Sequence, residues 1–254
     1  MYYEIYGNLN SSKTLVFIGG LSQSTLAWTG YLPLLQADYK IVLLDLLFQG
    51  QSDSPEKHRT FEEHAADVAS LMEALAIENS CVIGISYGGA VLMRLLAQHP
   101  ARIQKAVIMA TFAQKTPLFN ALGLAWTNAL LSGGYDLMLD VMLPSVLGKT
   151  YFENPLIPID TLKNLRRDAR PSSANLLKLM RATSESQNYL EPLKSIKQEV
   201  LVLAGEEDLL CTPEMNKAIA QAIPNGKITL IPTVGHTLNL EAIPQTAELI
   251  RQFY

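Results

Sequence analysis

Short runs of Val, Ile and Leu recur along the chain without alternation: TLVFIGG from Thr14, KIVLLDLL from Lys40, SCVIGIS from Ser80, KAVIMAT from Lys105, EVLVLAG from Glu199 and KITLIPT from Lys227. Apolar runs with no period of two suit strands that are covered on both faces, as in a parallel sheet between helical layers. Helical spacing fills the intervals. Thr60 with Glu63 three residues on forms a capping-box pattern, and Ala65, Val68, Leu71, Met72 and Leu75 follow three and four apart. A second helix is expected from about Tyr87, with Val91, Leu92, Leu95 and Leu96 on one face and a stop at His99-Pro100. The pattern predicts an α/β fold with a doubly wound, mostly parallel sheet.

After KAVIMAT this rhythm stops. Residues 113–193 carry helical patterns broken by Pro, Gly and Asn, and strand and helix then resume to Tyr254. The expected organisation is one core, residues 1–112 and 194–254, with residues 113–193 inserted as a helical lid over the side where the strand-end loops emerge. Leu118, Leu122, Trp126, Leu130, Leu137, Leu139, Met142 and Leu143 exceed what one exposed helix needs, so they both pack the insertion down and predict a hydrophobic pocket. Gly133-Gly134 marks either a hinge or a helix-ending turn.

Composition narrows the picture. A chain of 254 residues with 48% hydrophobic and 17% charged residues is expected to be globular, and no window approaches the roughly 18 apolar residues of a membrane span. The start, MYYEIYGNLN, has no basic residues leading an apolar run, which favours a cytoplasmic location. A formal charge of −4 argues against nucleic acid as the main partner. Cys81 and Cys211 lack metal-ligand spacing; free thiols, no metal and no organic cofactor are expected. The charge is unevenly placed. Lys163, Arg166, Arg167, Arg170, Lys178 and Arg181 crowd a stretch with one acid, Asp168. Such a run is a solvated helix face, a dock for an acidic carrier protein, or a guide for a carboxylated substrate.

The chemistry centres on Ser86. Gly84 and Gly88 flank it as G-x-S-x-G between a strand and a helix, where small neighbours permit a sharp turn at the ligand-binding edge of an open sheet. A serine hydroxyl needs a base, and the base needs an orienting group. Of the four histidines, His58 lies in a charged loop, His64 on the outer part of a helix pattern and His99 at a helix end, whereas His236 follows the last strand and a glycine. Glu206, Glu207 and Asp208 end the preceding strand at the same edge.

Three motifs in the order Ser, acid, His make the chain resemble the α/β-hydrolase superfamily over nearly its whole length. Gly84-Ile85-Ser86-Tyr87-Gly88 is similar to its nucleophile elbow, Gly205-x-x-Asp208 to its acid turn, and Gly235-His236 with Glu241 and Pro244 to its histidine loop. The resemblance implies an acyl-enzyme on Ser86, His236 as proton carrier and Asp208 as the orienting acid. The backbone amides of Leu21 and Tyr87 would then form the oxyanion hole. The expected substrate pocket contains Gly20, Phe48, Trp126, Leu130 and Leu209. Two departures stand out: Gly19-Gly20 where the family often has His-Gly, and Phe48 at a glycine of its D-x-x-G-x-G-x-S stretch, where the ring is either pocket wall or core anchor. These features resemble both 3-oxoadipate enol-lactonases and the synthase joining two 3-hydroxyacyl chains. Dehalogenase-like relatives with an aspartate nucleophile are disfavoured by the serine at position 86. The expected activity is cleavage of an ester or lactone of a small to medium apolar substrate. The alternatives are an acyltransferase or thioesterase using acyl carrier protein or coenzyme A thioesters, and a ligand receptor on the same scaffold.

Overall fold

The protein is represented by a computed structural model that describes residues 1–168 and 172–254, with the side chains of residues 167 and 168 outside the description. Of the basic stretch, Arg170 and the Arg167 side chain therefore lie outside the described residues.

The strands are β1 (Tyr3–Gly7), β2 (Thr14–Ile18), β3 (Lys40–Leu44), β4 (Ser80–Ile85), β5 (Ile103–Met109), β6 (Glu199–Gly205) and β7 (Gly226–Ile231). They form one sheet in the order β1-β3-β2-β4-β5-β6-β7. The six expected strands are all parallel; β1 is an additional antiparallel edge paired to β3. β1 escapes the run criterion because it alternates exposed and half-buried positions, as an edge strand does.

Successive residues of the inner strands feed two separate cores. Val16, Val42, Val82, Ile108 and Val202 point to one face, and Phe17, Leu43, Ile83, Val107 and Leu203 to the other. Side chains alternate along a strand, so both faces being buried demands the unbroken apolar runs seen in the sequence.

The helices, in chain order, are α1 (Leu32–Leu35), α2 (Phe61–Ala74), α3 (Tyr87–Gln98), α4 (Pro117–Val146), α5 (Lys149–Glu153), α6 (Ile159–Asp168), α7 (Ser173–Glu185), α8 (Leu190–Leu193), α9 (Pro213–Ala222), α10 (Leu238–Glu241) and α11 (Ile243–Phe253). The Thr60 hydroxyl accepts from the Glu63 amide at 3.1 Å and the Glu63 carboxylate from the Thr60 amide at 2.8 Å, closing the capping box of α2.

Helices α4 to α8 occupy the interval between β5 and β6. In α4 the helix breaks at Gly134 (φ 71°, ψ −165°), a left-handed value that favours glycine, so the Gly-Gly pair ends one helix and starts another in tandem. Among the described residues no helix is long and apolar enough to cross a membrane.

One histidine departs from its expected place. His64 is not on the outer part of α2 but fully buried, packed edge-on between the Phe48 and Tyr87 rings. Both of its nitrogens lack a hydrogen-bond partner, and burial pushes its pKa down to about 3. Its position one residue before the apolar Ala65 disguised it.

Candidate active site

Ser86 sits between β4 and α3 at φ 53° and ψ −116°, a strained conformation for a residue with a Cβ. Its surroundings hold it there. The Ser86 amide donates to the Met109 carbonyl at 2.9 Å, and its own carbonyl accepts from the Thr111 hydroxyl at 2.6 Å and the Ala90 amide at 3.0 Å. The flanking glycines are required by packing: a Cβ on Gly84 would stand 2.6 Å from the Gly88 carbonyl oxygen, and one on Gly88 would stand 2.6 Å from that of Gly19.

The acid and the base come from the ends of β6 and β7. Asp208 Oδ2 lies 2.8 Å from His236 Nδ1, while Asp208 Oδ1 accepts from the amides of Leu210 at 2.9 Å and Cys211 at 2.8 Å. Both side chains are almost wholly buried, at 0% and 7% exposure. A carboxylate fixed by two amides places the proton of the imidazole on Nδ1 and leaves the Nε2 lone pair for proton acceptance. Glu207 turns away. Its carboxylate accepts from the Thr150 amide at 2.8 Å and hydroxyl at 2.7 Å, and the Thr150 amide holds it below the usual carboxylate range. Glu206 is exposed. Of the three acids at this turn, only Asp208 meets the imidazole.

Two further side chains brace the site. Asn216 accepts from the Thr111 amide at 3.1 Å and donates to the Cys211 carbonyl at 2.8 Å, tying the support of Ser86 to the acid turn. Glu241 accepts from the amides of Gly148 (3.0 Å), Gly235 (2.9 Å) and Thr237 (3.2 Å) and from the Thr237 hydroxyl (2.6 Å). With the His236 amide donating to the Val146 carbonyl at 3.0 Å, these bonds fasten the histidine loop to the end of α4. Glu241 belongs to the motif already noted around His236, whereas Asn216, a polar residue within α9, carries no signal in the sequence and is revealed only by its contacts.

Two cavities meet at Ser86. The larger, about 420 Å³, is lined chiefly by apolar side chains including Phe112, Phe119, Leu124, Leu177 and Met180. The smaller, about 40 Å³, adjoins His236, Gly20, Gln23 and Arg166. Leu21, Ser86, Trp126 and Leu210 line both. No hydrogen bond joins Ser86 Oγ to His236 among the described residues, although both face the smaller cavity. Catalytic hydrogen bonds are often long until substrate is bound. The amides of Leu21 and Tyr87 donate to no other described residue, and both residues line the larger cavity beside Ser86. Gln23 braces the Gly19-Gly20 loop: its Oε1 accepts from the Gly20 amide at 2.9 Å and from Asn239 Nδ2 at 3.2 Å.

Of the expected lining residues, Gly20 and Trp126 line these cavities. Phe48, Leu130 and Leu209 line neither of the two. Phe48 is a core anchor at φ 74°, its ring against His64; Leu130 is buried in the packing of α4. Leu209 points to solvent because Asp208 Oδ1 draws the amides of Leu210 and Cys211 into a tight turn, which aims Leu210 inward instead. Lys115, also on the larger cavity, donates to the carbonyls of Thr183 (3.2 Å) and Ser184 (2.6 Å), and desolvation lowers its pKa. Cys81 and Cys211 are buried free thiols. Among the described residues no group of three or more His, Cys, Asp or Glu is placed to hold a metal ion.

Comparison with known proteins agrees with this fold. A family model described as alpha/beta hydrolase fold matches residues 13–137. A 2-hydroxymuconate semialdehyde hydrolase from Pseudomonas putida is 23% identical over 220 residues, covering 84% of this chain and 76% of that protein. An (R)-3-hydroxydecanoyl-ACP:CoA transacylase from Pseudomonas aeruginosa is 23% identical over 260 residues, covering 100% of this chain and 85% of that protein. Among solved structures, the enol-lactonase from Burkholderia xenovorans LB400 superposes with a TM-score of 0.86 at 21% identity, covering 99% of this chain and 95% of that one.

Proposed function

Since the chain belongs to the α/β-hydrolase superfamily, a family of enzymes that includes hydrolases, we propose that it is a serine hydrolase that cleaves a carboxylic ester or lactone of small to medium apolar substrates. The observation that carries this reading is the buried Asp208–His236 pair at 2.8 Å, opening onto the same cavity as the strained Ser86. Ser86 Oγ attacks the carbonyl carbon as His236 Nε2 takes its proton, and the carbonyl oxygen becomes an anion facing the amides of Leu21 and Tyr87. Collapse of the tetrahedral species expels the alcohol, which receives that proton from His236. Water, deprotonated by the same imidazole, then attacks the acyl-serine; release of the acid restores the hydroxyl. The 420 Å³ apolar cavity suits the acyl chain, and the helices α4 to α8 act as the lid that walls it.

The test is hydrolysis of phenyl esters of butyrate, hexanoate and octanoate, and of γ-lactones, by wild type and Ser86→Ala. The expected result is turnover that falls by about three orders of magnitude or more in the variant, with the circular dichroism spectrum unchanged. Equal rates in the two proteins would overturn the reading. A second reading, acyl transfer from a carrier-bound thioester, is supported by the transacylase likeness over the whole chain. It predicts acyl-coenzyme A formation in excess of free acid when acyl carrier protein thioester and coenzyme A are supplied; free acid alone would exclude it.

A further inference from the structure

Arg166, on α6, lines the small cavity together with Ser86 and His236. It is half-buried, and its guanidinium has no hydrogen bond or ion pair among the described residues. The other cations near the site are different. Lys115 is held by two carbonyl oxygens, and Arg181 Nε pairs with the Glu185 carboxylate at 2.7 Å. A half-buried guanidinium with no protein acceptor among the described residues has its donors available to a ligand, and its planar fork matches a carboxylate bidentately.

The placement of the two cavities decides which part of the substrate this group meets. Ser86 stands at their junction, so the chain of the acyl group takes the large apolar side and the alcohol side of the scissile bond takes the small one. At about 40 Å³ the small cavity holds only a few water-sized occupants, enough for a compact polar group.

Resting on the hydrolase reading above, we infer that Arg166 forms an anion subsite for a carboxylate on the alcohol side of the ester, so that the preferred substrates are acyl esters of small hydroxy acids. The chemistry of the subsite is recognition by charge-assisted hydrogen bonds, with no covalent step. Its effect belongs mainly to binding.

Binding to Ser86→Ala, which retains the cavity without the nucleophile, tests this by calorimetry with two probes of one shape: the hexanoyl ester of glycolate and that of glycolamide. The expected result is that the carboxylate probe binds about tenfold or more tightly than the amide. Adding Arg166→Gln should bring the ratio near one, while Arg166→Lys retains part of it. Equal affinities in Ser86→Ala, no binding of either probe, or a ratio that survives Arg166→Gln would each overturn the subsite. Wild-type hydrolysis of phenyl hexanoate is measured in parallel. Ser86-dependent hydrolysis with equal probe affinities defeats the subsite alone; Arg166-dependent carboxylate binding without such hydrolysis defeats the hydrolase reading alone.

Discussion

At the scale of single residues, the site is distinguished by groups forced into places their chemistry does not favour. Ser86 holds a left-handed backbone conformation that costs about 1–3 kcal/mol in general, sustained here by three backbone and side-chain hydrogen bonds to its peptide groups. The Ser-Gly pattern was readable because a backbone clash leaves glycine as the only solution at Gly84 and Gly88. The choice among three acids was not readable from spacing alone. It depends on which carboxylate two amides turn inward. Asp208→Asn should therefore lower kcat by about 10⁴-fold, because an amide no longer fixes the useful tautomer. Glu207→Gln, which disturbs only the Thr150 contacts, should cost less than tenfold; steady-state kinetics on a phenyl ester compare the two. Phe48 poses the opposite case, a bulky ring at a positive-φ position that glycine would fill without strain. Phe48→Gly relieves about 1 kcal/mol of backbone strain but empties a buried site worth about 3–5 kcal/mol, so denaturant unfolding should show a net loss of about 2–4 kcal/mol.

At the scale of elements, the six parallel strands and α2 and α3 were legible because burial on one or two faces writes itself into apolar spacing. What burial does not pattern was lost: the edge strand β1, the inward aim of His64 and the turn that swaps Leu210 for Leu209. His64 carries a consequence for α2. Its folded pKa near 3 lies below the ordinary imidazole value of about 6.5, so the unfolded chain binds the proton more readily. Its contribution is whole above pH 6.5 and is lost as pH falls toward 3, at up to about 1.4 kcal/mol per pH unit. The lowered carboxylates Glu63 and Glu207 act below about pH 4.5, where their unfolded forms take up protons. Unfolding free energies measured between pH 6.5 and 4.5 should decline in wild type and stay flatter in His64→Leu; parallel slopes would show that His64 is not the source.

At the scale of the whole molecule, the sheet and the inserted helices are joined where the chemistry is placed. Val146, Gly148 and Thr150, from the end of α4 and the start of α5, receive or supply the bonds that hold the His236 loop and Glu207. The pocket walls at Phe119, Trp126 and Met180 belong to the same group of helices. Pocket walls and imidazole position thus share one support; the apolar excess of the insertion announced a pocket, but not its joining to the His236 loop, which depends on how the ends of distant elements meet. The central claim is that Ser86 accepts an acyl group. Intact mass spectrometry of wild-type protein quenched early in its reaction with phenyl hexanoate, followed by peptide mapping, tests it most directly. The account predicts one hexanoyl adduct on the peptide containing Ser86, absent in Ser86→Ala. Hydrolysis that proceeds with an adduct on another residue, or equally well in Ser86→Ala, would contradict it.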